Sequence, residues 1–135
     1  MSEAHSGSCL CGQVRFEIQG GFERFFLCHC SHCRKDSGSA HTANLFSSSA
    51  RLKWLSGEDQ VHTYNLPATR HTRSFCVGCG SALPYADAAA GFLAVPAGSL
   101  DSELRLRPDA HLFTASRAAW DQGLESIPAV PGFPS

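Results

Sequence analysis

Seven cysteines in 135 residues stand in three tight groups, and no other feature restricts the possible folds as much. Cys9 and Cys11 form C-x-C, Cys28, Cys30 and Cys33 form C-x-C-x-x-C, and Cys76 and Cys79 form C-x-x-C followed at once by Gly80. Thiolates this close in sequence converge on one small soft cation, and Zn²⁺ is the usual one. Four sulfurs close a tetrahedral site, whereas three leave a position for water or substrate. Seven therefore divides into four plus three. An odd count does not suit a disulfide framework, so reduced, metal-held thiols in the cytoplasm are expected.

The four-sulfur set follows from the grouping. Cys76-Val77-Gly78-Cys79-Gly80 reads as a zinc knuckle, whose glycines let backbone amides approach the sulfurs. A knuckle supplies two ligands, and Cys9 and Cys11 form the only other pair. One ion would then clasp the start of the chain to its middle across 64 intervening residues, and folding would be coupled to metal binding. The trio Cys28, Cys30 and Cys33 has no fourth cysteine, which leaves the vacancy typical of a catalytic zinc. The alternatives are a closed site completed by His29, His32 or His41, and thiols that hold no metal.

The rest of the chain reads as one domain of many short strands. Val14, Phe16 and Ile18 alternate with Arg15 and Glu17, which predicts a half-buried strand. Phe25–Cys28 is a short apolar run into the trio. Ser31–Asp36 predicts a helical turn stopped by Gly38. Further strands are expected at Thr42–Phe46, Arg51–Leu55, Val61–Tyr64, Thr72–Cys76, Ser81–Tyr85, Phe92–Pro96 and His111–Thr114. Ser116 and Gly123 bracket an expected helix over Ser116–Gln122. The segment from Met1 to Ser8 is polar, and His5 is expected in a frayed terminus. Trp54, Phe75, Phe113 and Trp120 are expected in the core. His62 and His71 read as surface or packed residues. The stretch Arg70-His71-Thr72-Arg73 reads as a solvated strand face, with a grip on a carboxylate as its functional alternative.

A net charge of −1, made more negative when thiols ionise around zinc, gives no reason to expect a nucleic-acid binder. No signal peptide or membrane span is read in the sequence.

Five motifs in order carry a family resemblance. Ser8-Cys9-Leu10-Cys11-Gly12-Gln13-Val14-Arg15-Phe16 resembles the G-x-C-x-C-G-x-V opening of the glutathione-dependent formaldehyde-activating enzyme and centromere protein V family. Cys28-His29-Cys30-Ser31-His32-Cys33-Arg34 is similar to its C-H-C-x-x-C-R segment, and Arg73-Ser74-Phe75-Cys76-Val77-Gly78-Cys79-Gly80-Ser81 to its R-x-F-C-x-x-C-G-S segment. Val95–Asp101 resembles the late V-x-x-G-S-L-D turn. Pro108–Phe113, with Trp120 beyond, resembles the closing P-x-x-H-I-F…W element.

The resemblance implies a mainly-β, Mss4-like or β-tent fold of short antiparallel strands clasped by zinc, with one or two short helices. It implies a zinc domain over 5–122, followed by an extended, proline-rich tail over 123–135. Cys9, Cys11, Cys76 and Cys79 would hold a structural zinc, and Cys28, Cys30 and Cys33 a second, partly occupied one implicated in activity. The implied chemistry is that of a carbon–sulfur lyase joining formaldehyde to glutathione, with a small-molecule thiol or aldehyde adduct as partner and a monomer or homodimer as the assembly. On this reading the second zinc captures the thiol sulfur, and His32 or His29 moves the proton. Two further readings are a non-catalytic zinc module that binds a protein partner and a redox role for the trio.

Overall fold

The computed structural model describes residues 3–134. Among these residues eleven strands form three small sheets, accompanied by one α-helix. In the first, β1 (Ala4–Ser8) and β5 (Arg51–Ser56) flank β2 (Arg15–Gln19), all antiparallel. In the second, the order is β11 (Ala110–Leu112), β3 (Arg24–Cys28), β4 (Thr42–Ser47), β10 (Phe92–Pro96) and β9 (Tyr85–Asp87). Only the β11–β3 pair is parallel there. In the third, β7 (Thr72–Cys76) lies between β6 (Val61–Asn65) and β8 (Ala82–Leu83). The helix α1 (Ser31–Ser37) leaves the end of β3. The mainly-β, antiparallel architecture expected from the resemblance is the architecture found.

The alternation in β2 works as the sequence predicts. Phe16 and Ile18 are fully buried and join Val14, Phe25, Leu45, Leu83, Leu93 and Val95 in one core. Burying side chains of this size contributes about 1.5–3 kcal/mol each. Cys9 and Cys76 belong to the same cluster, so the core and the sulfur clasp are built from adjoining residues. The Phe16 ring fills the space over β1 at Gly7, where a Cβ would stand 2.2 Å from Phe16 Cζ and 2.6 Å from the Ser99 carbonyl oxygen. Glycine is required there by close approach, not by dihedral angle.

Several expectations change. The opening segment is not frayed: His5 lies in β1, is 9% exposed and packs 5.3 Å from the Phe22 ring. Ser81–Tyr85 is two strands, because Pro84 has no N–H to continue a ladder; β8 pairs with β7 and β9 with β10. The helix expected over Ser116–Gln122 is absent. A single 3₁₀ turn, Thr114–Ser116, ends where Arg117 takes an extended ψ of 142°. Phe113 and Trp120 are not core residues but 65% and 63% exposed. Trp54 and Phe75 are half-buried, with Trp54 packed edge-on to Phe16.

Candidate functional site

The first cysteine group sits in the turn between β1 and β2. The Gly12 amide donates to the Cys9 carbonyl at 3.0 Å, and Gly12 takes φ +81°, which a side chain tolerates poorly. The second pair sits in the turn between β7 and β8. There the Gly80 amide donates to the Cys76 carbonyl at 2.7 Å, with Gly80 at φ +78°. The two turns face each other. All four sulfurs of Cys9, Cys11, Cys76 and Cys79 lie within 4.8 Å of one another. Cys9 to Cys11 is 3.5 Å and Cys11 to Cys76 is 3.9 Å. Zinc–sulfur bonds of about 2.3 Å in a tetrahedron require sulfurs about 3.8 Å apart, whereas a disulfide needs about 2.05 Å. The spacing therefore fits a divalent ion and not a covalent bridge.

The electrostatics of this cluster suit a cation as well. The Ser81 hydroxyl lies 3.2 Å from Cys79 Sγ; with the Ser81 and Cys11 amides it holds the Cys79 thiol down to about 5. The Gln13 amide favours the Cys11 thiolate, but Cys9, burial and Cys79 outweigh it and push Cys11 up to about 11. One thiolate forms readily and then opposes the next. A divalent ion removes that opposition.

The trio is built differently. Cys28 ends β3, Cys30 is the N-cap of α1, and the Cys33 amide reaches Cys30 Sγ at 3.3 Å. Gly38, at φ +64°, closes the helix with its amide on the Arg34 carbonyl. The three sulfurs lie within 4.8 Å of one another, as the local spacing predicts. Burial raises Cys33 and Cys28, whereas Cys30 falls because the Cys33 amide and the neighbouring thiols outweigh its burial. This set, too, could hold a metal.

The histidines separate from the trio. His29 is fully buried, and its Nε2 lies 2.8 Å from His111 Nδ1. Its Nδ1 lies 3.3 Å from Asp121 Oδ2, which also stands 3.3 Å from Arg117 Nε. These last two are charge contacts without hydrogen-bond alignment. His29, His41 and Asp121 place their ligand atoms within 4.8 Å, a third group with metal-like spacing. The Arg117 guanidinium already balances the Asp121 carboxylate, so this group reads as a buried charged network. It ties the chain after β11 to the β3–α1 segment, helped by the bond from Arg34 to the Ser116 carbonyl at 3.0 Å. Burial holds His29 below the usual imidazole range.

Cys33 opens onto a cleft of about 320 Å³ whose walls include His41, Thr42, Asn44, His71 and Arg73. A second cavity of about 370 Å³, lined by His32, Lys35, Tyr64, Leu66 and Phe75, shares Asp36, His71 and Arg73 with the first. Arg73, from the basic stretch, thus lines both cavities; Arg70 lines neither. His71, expected as a surface or packed residue, is bound through Nε2 to Asp36 Oδ2 at 2.5 Å. Asp36, Asp121 and His111 were invisible as site residues in the sequence, although His111 lies within the closing motif and Asp121 follows its Trp120. Among the described residues no helix is long and apolar enough to cross a membrane.

The family model described as glutathione-dependent formaldehyde-activating enzyme matches residues 4–116. A Halomonas elongata protein described as "Putative glutathione-dependent formaldehyde-activating enzyme" is 33% identical, over 84% of this chain and 77% of its own length. A crystal structure of a Rhodobacter sphaeroides protein superposes with a TM-score of 0.58 at 23% identity, covering 78% of this chain and 98% of that one, which is a likeness of fold. With its sulfur groups in place and most of its length matched, the chain belongs to the glutathione-dependent formaldehyde-activating enzyme family.

Proposed function

We propose that this protein is a zinc-dependent, carbon–sulfur lyase-like enzyme acting on glutathione or on a thiol–aldehyde adduct of the S-hydroxymethylglutathione type. The observation that carries the reading is a three-sulfur group without a fourth sulfur, one of whose members, Cys33, forms part of a cleft wall. Cys9, Cys11, Cys76 and Cys79 are assigned the structural zinc, and Cys28, Cys30 and Cys33 the second. A zinc held by Cys28, Cys30 and Cys33 would supply a Lewis acid able to keep a substrate sulfur in its thiolate form at neutral pH.

The remaining roles fall to side chains. In the forward direction the thiol S–H gives up its proton, and a sulfur–carbon bond forms to the aldehyde. The carbonyl electron pair moves to oxygen, which is then protonated. The reverse sequence releases aldehyde. Lys35 and Arg73 line the adjoining cavity and offer positive charge to the carboxylates of a glutathione-like thiol. Tyr64, Leu66 and Phe75 provide its apolar walls. His29 is enclosed by His111 and Asp121, whereas His32 is exposed and lines that cavity, so of the two only His32 is placed to meet a substrate.

Exchange spectroscopy by NMR on formaldehyde and glutathione, with and without protein, tests this function. The protein is expected to accelerate exchange, and Cys30→Ser to remove the acceleration. Equal rates with and without wild-type protein would end the proposal for activity while leaving the metal sites in place.

A further inference from the structure

We infer that His71 and Asp36 form the proton-transfer dyad of the cleft. The inference rests on the function proposed above and adds a catalytic pair to it. Asp36 lies one helical turn beyond Cys33 in α1, on the same helix face. Asp36 and Cys33 both line the first cavity, and His71, just before β7, lines it beside Asp36. His71 and Asp36 also line the second cavity, so they stand at the seam between the sulfur cleft and the cation-bearing pocket. Their side chains are 19% and 22% exposed, which leaves them within reach of a ligand but largely out of bulk water.

The hairpin fixes the backbone that carries this imidazole. The His71 amide donates to Thr69 Oγ1 at 3.0 Å, and its carbonyl accepts from the Leu66 amide at 2.9 Å and from Asn65 Nδ2 at 3.1 Å. Asp36 takes Nε2 and leaves Nδ1 for a substrate. A carboxylate on one ring nitrogen sets the tautomer and stabilises the imidazolium that forms when the other accepts a proton. The groups around the pair are His32, whose ring centre is 5.4 Å from that of His71, and the Lys35 and Arg73 cations of the second cavity.

In the reaction, His71 takes the proton that the thiol gives up, and the thiolate then forms the sulfur–carbon bond. His71 returns that proton to the oxygen carrying the former carbonyl pair. Breakdown of the adduct uses the same groups in reverse. No oxidant or further reactant is needed. His32 then borders the pair without being the base.

The zinc-loaded 135-residue protein is assayed for formaldehyde–glutathione exchange as wild type, His71→Ala, His71→Gln and Asp36→Asn. His71→Ala is expected to lower kcat by roughly 10²–10³-fold, as loss of a general base does. Zinc content and KM for glutathione should stay unchanged, and added imidazole should restore part of the rate, a readout that a packing role would not move. Asp36→Asn should lose less than His71→Ala. If His71→Ala does not fold, His71→Gln is expected to show the same loss of kcat. Wild-type kcat in a folded His71 variant, or a folded His71→Ala that imidazole does not rescue, overturns the dyad alone. Wild-type protein that leaves exchange unchanged overturns the parent reading and the dyad with it.

Discussion

The two sulfur groups use the same ligand atom for opposite structural ends. The four-sulfur group joins two turns far apart in sequence, and two of its members, Cys9 and Cys76, are core residues. The trio lies within six residues at a strand-to-helix junction, and Cys33 forms part of a cleft wall. Ligand chemistry is shared; placement relative to the core differs. A metal that ties distant segments contributes to folding itself, whereas one that sits on a preformed local loop is free to do chemistry.

Removing one sulfur from each group should produce the largest contrast. Structural zinc binding is worth on the order of 10 kcal/mol, comparable with the whole stability of a domain. Cys76→Ser is therefore expected to yield little soluble folded protein. Cys30→Ser is expected to fold and to carry one zinc where wild type carries two, read by metal analysis and thermal unfolding. A normal melting temperature for Cys76→Ser would erase the distinction.

The next effect asks how much of the clasp's support is packing. Gly7 lies under Phe16 in the sheet that leads to Cys9, and an added methyl would meet both the ring and the Ser99 carbonyl oxygen. Gly7→Ala is expected to cost about 1–3 kcal/mol by overpacking, measured by denaturant unfolding, with zinc content retained. An unchanged midpoint would show that the clasp alone holds β1.

The smallest effect lies on the trio's side. Glu23 precedes β3, and its Oε1 accepts from the Ser48 hydroxyl at 2.6 Å and the Ser48 amide at 2.7 Å. The hydroxyl bond, then the amide, holds its carboxyl below the usual range. Because the folded-state value is depressed, the stabilisation is present above the unfolded value of about 4.3 and disappears as pH falls through the folded value. Glu23 is exposed, so Glu23→Gln should cost under about 1 kcal/mol at pH 7. That difference should vanish once the pH falls below the folded value; a cost that persists in acid strong enough to protonate the folded carboxyl would assign the effect to something other than the carboxylate.

Legibility followed apolar period and local spacing. Thr72–Cys76 and Phe92–Pro96 are strands with the boundaries expected from their sequence, and β4–β6 differ by one residue at one end. The strand β1 escaped notice because Ala4-His5-Ser6-Gly7-Ser8 carries no apolar alternation; its place comes from pairing with β2. The false helix over Ser116–Gln122 arose from plausible capping residues. In the folded chain, Arg117 and Asp121 converge beside His29 instead, a contact with a residue 92 positions away from Asp121. His71 and Asp36 were hidden for the same reason, being brought together only when the β6–β7 hairpin packs beside α1.

By itself the sequence determined the division of seven sulfurs into groups of four and three and the short-strand character, because each depends on residue type and near-neighbour spacing. Tertiary structure alone decided which cavity Cys33 opens onto, which carboxylate meets His71 and which residues enclose His29. Those are contacts between side chains distant along the chain, and their formation depends on how sheets, helix and loops pack together, which no local pattern encodes.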